Sequence, residues 1–158
     1  MKLINAEHLE TLTEQAQNSE RKRKNYNFHD RDGDLVQRML NAFEPNTYVR
    51  PHRHVNPDKR EVFLILTGRL LVIFFNDEGE ITDHAILDRE TGQYGVEISS
   101  SEWHSATGLE EGTVVYEIKD GPYYQSEDKN FAPWSPPEGS TEAHTYLKAC
   151  LTYLNISV

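Results

Sequence analysis

Apolar positions along the chain change their spacing twice. Over residues 5–18, Leu9, Leu12 and Ala16 recur at helical spacing, and Asn5 stands where an N-cap is wanted, so a helix is expected there. The stretch 35–43 fits either period. Beyond it, runs rich in β-branched and aromatic residues follow one another at 48–54, 62–66, 70–75, 81–87, 94–98, 105–109 and 113–119. Turn residues punctuate them, among them Asn56-Pro57-Asp58, Gly68 and Asn76-Asp77-Glu78-Gly79. Many short strands divided by turns predict an antiparallel sandwich or barrel. The strands at 62–66 and 70–75 are apolar on both faces, so each needs a cover on its outer side, from the first helix or from a second copy in a homodimer. Residues 121–139 are rich in proline and aromatics, and Ser140 then opens a helix with Ala143, Tyr146, Leu147, Cys150 and Leu151 on one face. The expected organisation is one all-β domain with a helical extension at 1–34, a barrel at 35–120 and a tail at 121–158.

Composition narrows the function. The 158 residues carry 16 Lys plus Arg against 26 Asp plus Glu, a net charge of −10. That sign argues against a partner built of phosphates, whether nucleic acid or an anionic membrane. No apolar run approaches the roughly 20 residues of a spanning helix, and residues 1–20 show no secretory signal, so a cytoplasmic protein is expected. The single cysteine, Cys150, excludes an internal disulfide and a cysteine-rich zinc site, and its place on an apolar helix face reads as packing.

Seven histidines remain to be explained. His52 and His54 lie two apart on an expected strand, so both rings leave the same face, roughly 6.6 Å apart by strand rise. Glu61 follows after six further residues, and His104 comes 50 residues after His54. Three imidazoles and a carboxylate suit a divalent ion (iron, manganese, nickel, cobalt or zinc) with coordination positions left open for water or substrate. His8, His84 and His144 have no partner at ligand spacing and are expected at the surface.

Pro51-His52-Arg53-His54, then Glu61, then Gly68 resembles the first cupin motif, and 95–104 resembles the second, which supplies the third histidine. Ser99 and Ser101 stand where that second motif has proline and glycine. Within this superfamily the chain is similar to the WbuC-type cupin metalloproteins. The similarity is carried by residues 48–54, Lys59 with Glu61, Trp103-His104, residues 117–123, Asp128-Lys129 and Ala132-Pro133-Trp134. The resemblance spans 19–139 and implies a double-stranded β-helix, or jelly-roll, with a metal in the barrel mouth. It further implies an association with surface-polysaccharide (O-antigen) gene clusters, but supplies no reaction.

Strand parity places Tyr48 and Arg50 on the histidine face. There Arg50 either holds a ligand carboxylate or phosphate or forms a salt bridge with Glu61 or Glu117. Glu117 and Lys119 share one face of the last strand. They face solvent if that sheet packs through Tyr116 and Ile118, and act as acid and base if the cavity is polar; the resemblance favours the cavity. Lys59 and Trp103, beside the ligands in the matching segments, are further expected substrate contacts. Arg23, from the basic run 21–24, and His29 are expected to fold over the mouth to meet an anionic sugar or phosphate. Three functions follow: a metal-dependent isomerase, epimerase or lyase acting on a sugar; a cupin dioxygenase; or a non-catalytic module that binds or senses the same small ligand.

Overall fold

A computed structural model of the chain describes residues 1–124 and 129–157; Asp128, part of the resemblance above, lies outside the described residues. Helix α1 (Ala6–Gln17) begins at Asn5, whose side chain accepts the backbone N–H of His8 at 3.1 Å. Ten strands follow in chain order: β1 (Arg23–Asn27), β2 (Val36–Phe43), β3 (His52–Arg53), β4 (Glu61–Thr67), β5 (Arg69–Phe75), β6 (Ile81–Asp88), β7 (Gly95–Ile98), β8 (Trp103–Gly108), β9 (Thr113–Asp120) and β10 (Asn130–Phe131). Helix α2 (Thr141–Tyr153) closes the chain; Ser140 occupies its N-cap but makes no capping hydrogen bond through its side chain. The strands form two five-stranded antiparallel sheets, β1-β2-β9-β4-β7 and β10-β3-β8-β5-β6. This is the antiparallel sandwich expected from the strand pattern and the jelly-roll implied by the resemblance, with a helix on each outer surface.

Strand β5 finds its covers within the chain. In β5, Leu70 and Val72 point between the sheets to meet Phe63, Ile65 and Val115. Leu71, Ile73 and Phe75 point the other way, under Leu147, Cys150 and Leu151 of α2. Helix α1 covers the other sheet, with Leu12 and Ala16 on Leu40, Ala42 and Val114. The first helix therefore covers β2 and β9 rather than β5, and Leu64 on the outer side of β4 stays 41% exposed. Gly68 makes the tight β4–β5 connection. Its φ of +69° suits glycine, and a Cβ there would lie 2.5 Å from Thr113 Oγ1.

Two expectations shift. The strand at 48–54 shrinks to His52–Arg53: residues 47–51 are irregular, so parity does not carry from Tyr48 to His54. And β1 was not visible as a strand, because Arg-Lys-Asn-Tyr-Asn lacks apolar alternation. It is an edge strand, made by backbone pairing to β2 from Arg23↔Phe43 to Asn27↔Met39. Among the described residues no helix is long and apolar enough to cross a membrane.

Candidate metal centre

The jelly-roll encloses a cavity of about 850 Å³ that opens between the two sheets. Strand pairing delivers the ligands to it. His52 pairs directly with His104 across β3 and β8, while Glu61 opens β4 on the facing sheet. His54 lies just past β3, where its backbone N–H is held by Ser100 O at 2.9 Å. All four side chains are buried, and one ligand atom from each lies within 4.8 Å of the others.

The hydrogen bonds around the cluster set the tautomers. His52 Nδ1 lies 2.9 Å from Arg50 O, and His104 Nδ1 lies 2.9 Å from Glu102 O. A carbonyl only accepts, so both Nδ1 atoms carry hydrogen, and Nε2 is the ring nitrogen each turns towards the cluster. His52 Nε2 is buried without a hydrogen-bond partner among the described residues, and burial holds that ring well below the usual imidazole range, hence neutral. His104 Nε2 and His54 Nε2 both converge on Glu61 Oε2, at 3.0 and 3.3 Å. The His52 Nε2 lone pair, buried with no donor beside a carboxylate and two further imidazole nitrogens, is satisfied by a cation. The donor set therefore fits a divalent ion, with His52 and His104 pre-oriented by backbone carbonyls.

Glu117 adds a second carboxyl beside Glu61. Burial and the Glu61 charge push Glu117 well above the usual carboxylate range. For Glu61 burial acts in the same direction, but hydrogen bonds to His104, His54 and Glu117 outweigh it and hold Glu61 well below that range. One proton thus resides on Glu117 and points to Glu61, while Asn41 donates to the other side of Glu117. A folded-state pKa above the unfolded one contributes stability that is full below the usual carboxylate range and is lost as pH rises through the raised value. In chelator-treated protein the melting temperature is therefore expected to fall as pH climbs above that range. Glu117→Gln, which keeps both hydrogen bonds without an ionisable proton, should flatten the fall; scanning calorimetry across pH measures both.

A family profile describing a domain of unknown function, DUF6016, matches residues 4–87, more than half of the chain. The chain belongs to the DUF6016 family. No curated protein matches it. Among solved structures this DUF6016 chain resembles a cupin superfamily protein from Desulfitobacterium hafniense (16% identity, TM-score 0.51, 69% of this chain and 86% of that one). It also resembles TT1209 from Thermus thermophilus (13%, 0.54, 76% and 97%). A third is the capsular polysaccharide assembling protein CapF from Staphylococcus aureus (19%, 0.55, 72% and 32%), of which the chain spans about a third. At these identities the likeness speaks for the fold, a cupin jelly-roll, and the buried cluster of three histidines and a glutamate is its metal-compatible feature.

The other expected site residues divide into two groups. Glu117 and Lys119 are buried and line the cavity, because β9 turns Val115, Glu117 and Lys119 inward. Arg50, Arg23 and His29 line it as well. Arg50 donates to Ser135 Oγ at 3.1 Å and Ala132 O at 2.9 Å, and no salt bridge to Glu61 or Glu117 is found among the described residues. Arg23 donates to Tyr48 O at 2.8 Å and takes both oxygens of Glu138 at 2.6 and 2.7 Å. His29 Nδ1 accepts the Arg38 N–H at 3.1 Å.

Tyr48, Trp103 and Lys59 do not reach the cavity. The irregular backbone before β3 turns Tyr48 towards α2, where its hydroxyl donates to Pro136 O at 2.9 Å and its ring meets Tyr146. Trp103 precedes His104 on a regular strand and so faces the opposite side, packing on Trp134 and donating to Asp77 Oδ1 at 2.8 Å. Lys59 is 1% exposed and donates to Pro122 O at 2.7 Å, tying the loop before β4 to the segment after β9. His84 and His144 are exposed as expected, and His8 is half-buried beside Tyr26.

Asn41, Phe131 and Lys129 are among the cavity residues that the sequence did not assign to the site. Phe131 pairs with His52 across β10 and β3, with ring centroids 6.3 Å apart. Burial and the Lys119 charge lower the Lys129 ammonium from its ordinary range. No periodicity marks a two-residue strand, so Phe131 was not legible as a cavity residue, and Lys129 only as part of the matching pair Asp128-Lys129.

Proposed function

We propose that this chain is a WbuC-type metal-dependent cupin that binds or acts on a small anionic, sugar- or sugar-acid-like molecule in surface-polysaccharide (O-antigen) metabolism, as a cytoplasmic homodimer. The observation that carries the metal reading is the convergence of His52, His54, Glu61 and His104 ligand atoms within 4.8 Å, with the buried His52 Nε2 lacking a hydrogen-bond partner among the described residues. A divalent ion held there supplies Lewis-acid polarisation of a carbonyl or hydroxyl oxygen. Glu117, holding a proton next to Glu61, is placed to give or take that proton, and Lys119 offers a positive charge on the same wall. Arg23 and Arg50 line the same cavity and favour an anionic ligand within a protein whose net charge is −10. The polysaccharide setting rests on the motif resemblance, and CapF, itself a capsular polysaccharide assembling protein, shares the fold. For the homodimer, the margin of β4 and β7 offers Leu64 and Tyr94, 41% and 63% exposed, as a contact for a second copy.

The test is metal analysis of untagged protein together with a turnover screen of nucleotide sugars and small sugar acids, with and without chelator. A stoichiometric divalent ion and chelator-sensitive product formation are expected. Tight binding without product would make the chain a binding or sensing module. A wild-type protein no richer in metal than His52→Ala would overturn the metal reading.

A further inference from the structure

The wall of the cavity beside the metal ligands is built by β10. Its register against β3 pairs Asn130 with Arg53 and Phe131 with His52. Lys129 and His54 are the next residues beyond the end of this pairing. Side chains directly opposite one another on paired strands share a face, about 5 Å apart at Cβ. His52 and His54 both face inward, with ring centroids 4.9 Å apart, and Phe131 and Lys129 line the same cavity. The Val55 N–H donates to Asn130 Oδ1 at 3.0 Å and fixes the chain at this point.

The cavity's arginines are already engaged. Arg23 spends its donors on Glu138 and Tyr48 O, and Arg50 on Ser135 and Ala132 O. Lys129 makes no hydrogen bond or ion pair among the described residues. An ammonium has three donors, and holding one half-buried without an acceptor is costly. An anionic oxygen brought in by a ligand removes that cost.

We propose that Lys129 is the anion-recognising residue of the metal centre, taking the carboxylate of a small α-hydroxy or α-keto acid whose neighbouring oxygen is held at the His52–His54–Glu61–His104 cluster. The assignment rests on the metal reading above and adds a substrate class to it. Two oxygens on adjacent carbons span the short distance from the histidine pair to the neighbouring strand, and the Phe131 ring, with the Arg50 guanidinium 5.2 Å from its centroid, gives the cavity an apolar wall for a short carbon chain. Lys129 thereby becomes a specificity-determining contact, distinct from Glu117 and Lys119 on the opposite sheet.

The full chain loaded with Co²⁺ provides the test, with the cobalt d–d absorption as readout and glycolate as the probe. Glycolate should perturb the spectrum of wild-type protein, and Lys129→Met should weaken its binding roughly 10- to 100-fold, the worth of one charge-assisted hydrogen bond. Cobalt content and melting temperature should stay unchanged. Lys129→Arg should recover most of the affinity, while the neutral analogue glycolamide should bind wild type and variant alike. Lys129→Gln carries the same expectation should the methionine variant fold poorly. Equal glycolate affinity in wild type and Lys129→Met would overturn the proposal, as would a spectrum that glycolate leaves untouched. Loss of cobalt from Lys129→Met would also overturn it, by making Lys129 a counter-charge for Glu61. A wild-type chain that takes up no cobalt overturns the metal reading itself, so the two failures are distinguishable.

Discussion

His104→Ala is expected to abolish stoichiometric divalent-metal binding while leaving the barrel folded. His104 is 1% exposed, and its Nε2 stands 3.0 Å from Glu61 Oε2 at the centre of the cluster. Its ring is aimed by the 2.9 Å contact of Nδ1 with Glu102 O, which an alanine cannot reproduce. Removing the aim alone typically costs 10- to 100-fold in metal affinity, and removing the ligand with it costs more. The consequence reaches stability. A metal present at about 100 times its dissociation constant stabilises the native state by about 2.7 kcal/mol. In a chain of this size that is a rise in melting temperature of about 5 to 10 °C. Wild-type protein should show this rise on loading and lose it with chelator. His104→Ala should melt at one temperature under both conditions, and elemental analysis of the same samples would report the missing ion. A variant that kept the metal-dependent rise would remove His104 from the ligand set.

Leu71→Ala should produce the largest loss of stability from one core substitution. Leu71 is fully buried on the outer side of β5, in the cluster that α2 closes with Leu147 and Leu151. Emptying such a site costs about 2 to 5 kcal/mol, from lost burial and the cavity left behind. That corresponds to a fall in melting temperature of about 5 to 15 °C. Urea unfolding measures it directly, and metal stoichiometry in the folded fraction should be unchanged, because Leu71 points away from the cavity. A loss below about 1 kcal/mol would mean that α2 lies loosely on the sheet rather than forming its outer layer.

The histidine spacing made the metal cluster legible because strand period and short loops are local rules, and His52, His54 and Glu61 obey them within ten residues. His104 was legible through the second motif, and β8 carries it to His52 by direct pairing. The rule failed where the backbone ceased to be a strand. Residues 47–51 are irregular, so Tyr48 turned towards α2 although parity assigned it to the cavity. Trp103 illustrates the converse: a regular strand places it opposite His104, and parity applied to that neighbour predicts its exclusion. Strands β1 and β10 carry little apolar pattern and exist through long-range pairing, which no window of sequence displays. That is why Lys129 and Phe131 emerged with the structure. The cover over β5 was a question of topology: the first helix or a second copy was expected there, but which helix met which sheet depended on the order of strands.

The ligand set is divided between the two layers of the sandwich. Glu61 stands on the sheet that carries α1, whereas His52 and His104 stand on the sheet that carries α2. An ion gripped by both therefore acts as a rivet through the sandwich, closing a loop of chain much as a covalent cross-link would and restricting the freedom of the unfolded ensemble it must be released to reach. The stiffness of the barrel mouth then becomes a property of metal supply. The same four side chains that set the chemistry also set how readily the two sheets can part to admit a ligand.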